Sequence, residues 1–469
     1  MGATNGVNML RVLGVLTTAA VMSTAGHEGP TPAVRAVEPV RAVAIDVAAL
    51  LAAARGAPPL ICGLAAQSVG NGNWGWWSDA PASPLGATMR QQLDDGGRSR
   101  LRDLPDADVT RLLDALATDD ACVREMSVRI IGQQEDARVA APLIARLSSG
   151  DAALRSVAAF GLGLAGPQQA VDPLIRTLRD ATVEVRANSA WALGRIENGR
   201  ALSPLMGMFR DESPLVREAA VGAVGRMEST AAVAALLRVL REDQVASVRR
   251  VAAWALGHLE SREAAQALAS VLARDSDARV REMTAWALGE IEQREGIAAL
   301  QRALREDSDD AVRETAAWAL AQIEDGTAIE VLGAALGDRS SRVRGTAAWA
   351  IGQLADDRET RGQVPAGLTR LLRDDSEDVR RKAAWALGNV GDASAVAAIR
   401  DALKVEQSSE VRRALVRALT KSGGRSEAVF TELLASSDPK VREMAVRGLA
   451  GHNAFNPWPW PWPRPRPFP

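Results

Sequence analysis

One ten-residue pattern recurs along most of this chain. Its consensus reads V-R-x-x-A-A-W-A-L-G, and successive arginines of the pattern are separated by 30 to 36 residues. A period of this kind is typical of a solenoid, in which each unit packs only on its neighbours. The longest step contains the segment 356–365, which we interpret as a loop insertion. The pattern arginines are Arg124, Arg155, Arg186, Arg217, Arg249, Arg281, Arg313, Arg344, Arg380, Arg412 and Arg442.

Each repeat unit has the residues for two helices. The V-R segment follows Asp and Ser residues, as at 275–277 and 374–376, and these are preferred N-cap residues. A second helical segment follows after a short turn, as at 231–240, and its apolar residues recur at helical intervals. Neither helix can bury its apolar face alone, so neighbouring units must stack. We therefore predict an all-α fold, a right-handed α-solenoid of about eleven helical hairpins over residues 106–451.

The units resemble HEAT-like repeats of the phycobilisome-lyase (PBS lyase) type over roughly residues 106–450. A generic HEAT unit has about 40–47 residues, so the shorter period here favours this subclass. The resemblance implies that the V-R helices line the concave side of the superhelix. It does not imply one function, because such a fold serves as a scaffold for many partners.

Tryptophan recurs at one place in the V-R helices, five residues after the arginine. A helical wheel puts this place nearly opposite the predicted core stripe, so we expect that the core does not explain it. Phe160 holds the equivalent place in an early repeat, and Gly222 interrupts the row. We define the tryptophan row as Trp191, Trp254, Trp286, Trp318, Trp349 and Trp385.

Polar side chains accompany the tryptophan row on both sides. The C-terminal flank, four residues after the tryptophan place, consists of Arg195, His258, Glu290, Gln322, Gln353 and Asn389. The N-terminal flank, four residues before it, consists of Arg250, Glu282, Glu314 and Arg381. Tryptophan beside arginine and amide groups suits an extended peptide or protein partner, and carbohydrate is an alternative. The sequence equally allows a packing role, in which each indole covers backbone at the glycine between repeats.

The pattern arginines suggest a structural role. They lie at the edge of the core stripe, and acidic residues such as Asp180, Asp211, Asp243 and Asp275 stand at corresponding places in the next repeat. We predict an Arg–Asp ladder between repeats, bidentate where the geometry permits, that holds their register.

Catalysis has little support in the sequence. Three histidines, His27, His258 and His452, are too few for a histidine-rich metal centre. HEAT-like deoxyhypusine hydroxylases hold iron with several His-Glu pairs, whereas here the one pair, His27-Glu28, lies outside the repeats. We predict a non-catalytic scaffold without a cofactor. The alternative implied by the resemblance is a bilin-lyase-like, chromophore-handling protein. The N-terminal export signal described below disfavours this alternative, because bilin attachment is cytoplasmic.

The N-terminus has the features of a signal peptide over residues 1–25. Arg11 precedes the apolar run 12–25, which is too short to span a bilayer and ends in small residues. We therefore expect an exported protein, periplasmic or secreted. Residues 26–105 are interpreted as a linker with a short helical, Trp-rich segment. One Cys62–Cys122 bridge is compatible with an oxidising compartment, and the sequence leaves this pairing open.

The overall charge and the C-terminal tail indicate which kinds of binding partner to expect. A formal charge of −2 provides no basic field, so a nucleic-acid partner is not expected. The tail, residues 452–469, alternates Pro with Trp and Arg and is predicted to be extended. Its resemblance to tryptophan-proline membrane-active peptides suggests membrane contact, while docking on another protein or in its own tryptophan groove are alternatives. The solenoid itself is expected to be monomeric.

Overall fold

The computed structural model describes residues 46–58, 62, 104–134, 136–355, 367–422, 431, 433–436 and 439–449. All regular secondary structure within these ranges is helical. The predicted signal peptide, the Trp-rich loop, the insertion at 356–365 and the tail at 452–469 lie outside the described residues. Their assignments therefore stay predictions.

Eleven helices carry the pattern arginines, as the repeat predicts. We call them the V-R helices: α3 (Ala121–Ile131), α5 (Ala152–Ala165), α7 (Val183–Ile196), α9 (Pro214–Arg226), α11 (Ala246–His258), α13 (Ala278–Ile291), α15 (Asp310–Gln322), α17 (Ser341–Leu354), α19 (Glu377–Val390), α21 (Ser409–Lys421) and α22 (Pro439–Leu449).

Shorter helices, here called A helices, precede the V-R helices and complete the hairpins. Single 3₁₀ turns lead into most of them, and such turns also extend α8 and α18. The A helices are α2 (Asp106–Ala115), α4 (Asp136–Arg146), α6 (Val171–Thr177), α8 (Leu202–Gly207), α10 (Val233–Glu242), α12 (Ala265–Arg274), α14 (Ile297–Glu306), α16 (Ile329–Ala335), α18 (Gly367–Arg370) and α20 (Val396–Val405).

Acidic caps start several V-R helices. Asp277 accepts hydrogen bonds from the backbone N–H groups of Arg279 and Val280, at 2.9 and 3.1 Å. A cap of this kind stabilises a helix by about 1 kcal/mol. Ser376 stands at the predicted cap position of α19, but its side chain makes no capping bond. The sequence thus located both helix starts, while only Asp277 uses its side chain as predicted.

The two helix types bury different amounts of their surface. In α10 the buried residues Val233, Leu236, Val239 and Leu240 form one apolar face. A V-R helix is buried on more sides because it packs on its A helix and on the V-R helices of both neighbouring repeats. The apolar residue seven positions after the arginine is at most 1% exposed in ten repeats, from Ile131 to Leu419. This continuous layer is the core of the array.

A short N-terminal helix, α1 (Val47–Ala54), packs on the first hairpin. Its buried residues face α2 and α3, and the N–H of Gly56 donates to Asp120 Oδ2 at 2.7 Å. A disulfide joins Cys62 to Cys122, with their Cα atoms 5.5 Å apart. The pairing that the sequence left open is therefore formed, and it ties the segment before the repeats to the first V-R helix.

Candidate functional site

The tryptophan row packs between consecutive repeats. A Cβ atom built on Gly163 would lie 2.5 Å from Cζ3 of Trp191, and one built on Gly352 would lie 2.5 Å from Cζ3 of Trp385. The same relation holds for Trp254, Trp286 and Trp318, each against the pattern glycine of the preceding repeat. Each of these indoles therefore occupies space that a larger residue at the pattern glycine would fill. The packing role that the sequence allowed is present.

Burial along the tryptophan row is uneven. Trp318 and Trp349 are only 7% and 2% exposed, whereas Trp191, Trp254, Trp286 and Trp385 are half-buried. The expectation that the core does not explain the row is wrong for Trp318 and Trp349, which are part of the buried core. The role of the row in binding a partner stays a prediction, and the half-buried indoles are the ones whose surface is accessible to it.

The C-terminal flank mainly contacts the preceding repeat. Arg195 Nε and Asn389 Nδ2 each donate to a pattern-glycine carbonyl of the repeat before, both at 3.4 Å. His258 stacks on Trp254 with ring centroids 5.2 Å apart, and its Nε2 lies 3.5 Å from Glu228 Oε1. These contacts fix the flank to the array and favour a structural role for this side.

The remaining members of the C-terminal flank are Gln322, Gln353 and Glu290. Gln322 and Gln353 are half-buried, and Glu290 is exposed. Burial, with the nearby charges of Glu260 and Glu292, raises the pKa of Glu290. This part of the flank is therefore acidic and accessible from solvent.

The N-terminal flank holds half-buried charges that are incompletely paired within the described chain. The Nε atoms of Arg250 and Arg381 are buried and have no hydrogen-bond partner among the described residues. Glu314 lies 3.3 Å from Arg342 Nε and accepts a long hydrogen bond from Thr346 at 3.4 Å. Buried polar atoms in folded proteins are usually bonded, so the two arginines are unusual.

The carboxylates of the N-terminal flank titrate abnormally. Burial, with the negative charges of Asp309 and Glu314 nearby, raises the pKa of Glu282 to about 7. Burial likewise raises the pKa of Glu314, although Arg342 and Lys382 oppose the shift. Desolvation disfavours the charged form of a carboxyl group. Burial therefore favours the neutral form of both carboxyl groups more than in an exposed glutamate.

A ladder of ion pairs runs along the V-R helices, as predicted. In seven repeats the arginine Nε and Nη2 donate to both carboxylate oxygens of an aspartate in the next repeat, at 2.7 to 2.9 and 2.8 to 3.0 Å. The pairs are Arg155–Asp180, Arg186–Asp211, Arg217–Asp243, Arg249–Asp275, Arg281–Asp307, Arg313–Asp338 and Arg344–Asp374, with Arg380–Glu406 as an eighth, glutamate version.

Each ladder arginine also bonds its own repeat. Nη1 of Arg249 donates to the carbonyl of Asp243 at 2.9 Å, and Asp243 Oδ1 accepts from the backbone N–H of Val245. One guanidinium thus joins the loop before its own helix to the loop of the next repeat. The hydrogen bonds from Arg155 hold the pKa of Asp180 below its usual value, which keeps that carboxylate charged. Such bidentate, charge-assisted pairs set the register of neighbouring repeats.

A stacked array of helical hairpins joined by such a ladder is typical of helical repeat proteins. The comparison with family models identifies the type of repeat. The model of HEAT repeats matches residues 140–211, 171–257, 234–321, 297–361 and 364–450, well over half of the chain. The chain is a HEAT-repeat protein. No curated protein matches it.

Solved structures agree with the HEAT-repeat fold. Importin beta, crystallised in an ammonium sulfate condition, is 14% identical, with a TM-score of 0.55 over 83% of this chain and 62% of that chain. An engineered protein is 22% identical with a TM-score of 0.40, covering 74% of this chain and 98% of its own. Human deoxyhypusine hydroxylase in complex with glycerol is 23% identical with a TM-score of 0.26, covering 54% and 97%. At these identities the likeness to importin beta concerns the fold alone.

The ladder of this HEAT-repeat protein loses its carboxylates at both ends. Ser149 and Ser436 stand where the partner aspartates of Arg124 and Arg412 would be. Arg412 Nη2 donates to Ser436 Oγ at 3.3 Å, where the central repeats have a carboxylate. The sequence contained this signal, since both serines interrupt the spacing of the ladder aspartates.

No group of three or more His, Cys, Asp or Glu side chains among the described residues is placed to hold a metal ion. His258 belongs to the described HEAT repeats, whereas His27 and His452 lie outside them. Among the described helices, none combines the length and apolar character needed to span a bilayer.

Proposed function

We propose that this chain is a non-catalytic scaffold that binds an extended peptide or protein segment along the N-terminal flank of the tryptophan row. The observation that carries the proposal is the flank itself, where Arg250 and Glu282 are half-buried and make no ion pair among the described residues, while Glu314 and Arg381 are paired with Arg342 and Asp378. Charged groups with perturbed pKa values cluster at functional sites more often than elsewhere.

An extended peptide backbone offers hydrogen-bonding groups that complement the charged side chains of the N-terminal flank. Each peptide unit offers an N–H donor and a carbonyl acceptor, so it supplies donors for Glu282 and Glu314 and an acceptor for the guanidinium group of Arg250. Recognition of extended segments through backbone hydrogen bonds is common among peptide-binding proteins. The half-buried faces of Trp254 and Trp286, on the same two helices as Arg250 and Glu282, add apolar contact to the bound segment.

A peptide-display selection on the whole protein tests the proposal. The selected peptides are measured against wild type and against the double variant Arg250→Gln/Glu282→Gln, which removes both charges and retains polar side chains. Arg238→Gln/Glu242→Gln, an equal change at exposed positions of α10, is the matched control. Circular dichroism verifies that all three proteins have the same helix content.

We expect the flank variant to bind the selected peptides at least tenfold more weakly, a loss of about 1.4 kcal/mol. The control should bind as wild type does. Equal binding by the flank variant, or no enrichment of any peptide on wild type, contradicts the proposed function.

We also propose that the protein is exported to the periplasm or secreted. The basic and apolar residues at 11–25 support this, and so does the Cys62–Cys122 disulfide, because such bonds persist in oxidising compartments. N-terminal sequencing of the mature protein tests it, and an intact Met1 or Met9 would contradict export. The short period of the repeats supports their assignment to the PBS lyase type within HEAT repeats.

A further inference from the structure

Arg124 is a ladder arginine without a carboxylate from the next repeat. In seven other repeats the arginine Nε and Nη2 bind an aspartate, but Ser149 holds that place for Arg124. Ser149 Oγ accepts from the backbone N–H of Asp151 at 3.1 Å, so the serine keeps the turn and lacks only the charge. Within the described chain, the hydrogen bond of Arg124 runs from Nη1 to the carbonyl of Thr118, at 2.9 Å.

A cavity of about 570 Å³ lies beside Arg124, among the N-terminal halves of α3, α5 and α7. Its volume falls within the range typical of small-ligand sites. Ala153, Val157 and Phe160 provide apolar lining. Phe160 stacks on Trp191 with ring centroids 4.9 Å apart, which makes this wall rigid. The cavity therefore suits an apolar group of moderate size.

The charged lining of the cavity restricts what can bind. Glu125 forms an ion pair with Arg129, so its charge is compensated. Glu184 also lines the cavity and makes no ion pair among the described residues. Ser156 and Asn188 bond each other at 2.9 Å. Arg124 is thus the cation available to an anion here, and Glu184 disfavours ligands with more than one negative charge.

We propose that Arg124 and this cavity bind a ligand in which an apolar group carries one carboxylate. The carboxylate takes the place of the missing ladder aspartate on Nε and Nη2, and the apolar group lies against Val157 and Phe160. This site is separate from the flank in the proposed function, so either can fail without the other. The same chemistry is present in a small organic acid and in the C-terminus of a peptide.

Titration calorimetry and ligand-detected NMR on the whole protein test the site with phenylacetate, and phenylacetamide serves as the uncharged control. The dipeptide N-acetyl-glycyl-phenylalanine and its amide form the second arm, which distinguishes a peptide C-terminus from a small acid. Two variants are compared with wild type. Arg124→Gln removes the cation, and Ser149→Asp supplies the ladder carboxylate from within the chain.

We expect a dissociation constant on the order of 1 mM for phenylacetate, at least tenfold weaker binding of phenylacetamide, and an equal loss in both variants. Ser149→Asp should also raise the melting temperature, because it completes the ladder, and this verifies that the variant folds. No saturable binding to wild type up to about 10 mM, or undiminished binding to Ser149→Asp, would overturn the proposal. Tighter binding of the dipeptide acid than of phenylacetate supports it and identifies a peptide C-terminus as the source.

Discussion

The contact between Gly194 and the next repeat makes the substitution Gly194→Ala a direct test of how tightly the V-R helices are stacked. A Cβ atom at this position of α7 would lie 2.5 Å from both Cα and Cβ of Ala223 in α9. Carbon atoms normally approach to about 3.5–4.0 Å, so the helices must separate by about 1 Å. The obstructing atoms belong to the backbone and a methyl group, and no flexible side chain can turn aside.

The expected magnitude follows from two opposing effects. Overpacking of a core costs about 1–3 kcal/mol, and the rigid backbone of α9 points to the upper part of that range. Replacing a helical glycine with alanine recovers up to about 1 kcal/mol of chain entropy. We expect a net loss of about 2 kcal/mol. Gly207→Ala is the matched control, because a Cβ there meets no atom within 4 Å and Gly207 lies in helical backbone.

Hydrogen exchange is the suitable assay, because a repeat array need not unfold in one step. Amides of α7 and α9 report the local opening free energy of these repeats. Gly194→Ala should lower their protection about thirtyfold, corresponding to 2 kcal/mol, while Gly207→Ala should leave it unchanged or raise it. Equal protection in the two variants would refute the close packing of the V-R helices.

Three further predictions concern the ladder, the flank and the disulfide. Asp275→Asn leaves the half-buried Arg249 without its carboxylate and should cost about 2–3 kcal/mol in urea unfolding, whereas Asp172→Asn, at an exposed pair with Arg200, should cost less than about 1 kcal/mol. Burial raises the pKa of Glu282 from an ordinary 4.5 to about 7. The protonated side chain therefore contributes stability that is present in full below pH 4.5 and is lost as the pH rises to about 7. Glu282→Gln should therefore exceed wild type in stability above pH 7, and this advantage should vanish below pH 4.5. Reduction of Cys62–Cys122 should speed amide exchange in α1 and α3 and leave α11 to α15 unchanged; an equal change throughout would contradict the local role of the bridge.

The period and its residues were sufficient to predict the hairpins and the ladder. Both depend on contacts between equivalent positions of adjacent repeats, and such contacts can be read from a repeating sequence. The burial of Trp318 and Trp349 could not be predicted from a helical wheel, because a wheel shows the face toward the A helix and omits the neighbouring V-R helix. The pairing of a glycine in one repeat with a tryptophan in the next, as at Gly289 and Trp318, was the signal that could have revealed it.

Part of the candidate site was predictable in the same way. The sequence located Arg250 and Glu282 at equivalent places beside the tryptophan row, because both stand four residues before a tryptophan. It could not show that the Nε of Arg250 is buried without a partner among the described residues, or that burial raises the pKa of Glu282. These properties depend on how far the next repeat covers each side chain, and that varies along the array.

The packing and the candidate site are physically connected. Bidentate ladder pairs and indole–glycine contacts both oppose sliding of one repeat past the next, so the side chains of the flank are held at the interval of the repeat. Burial in this position, with the negative charges of Asp309 and Glu314 nearby, raises the pKa of Glu282 to about 7. A rigid support of this kind lowers the entropy lost on binding. In the proposed function, the residues that make the array stiff therefore also keep the flank ready for an extended partner.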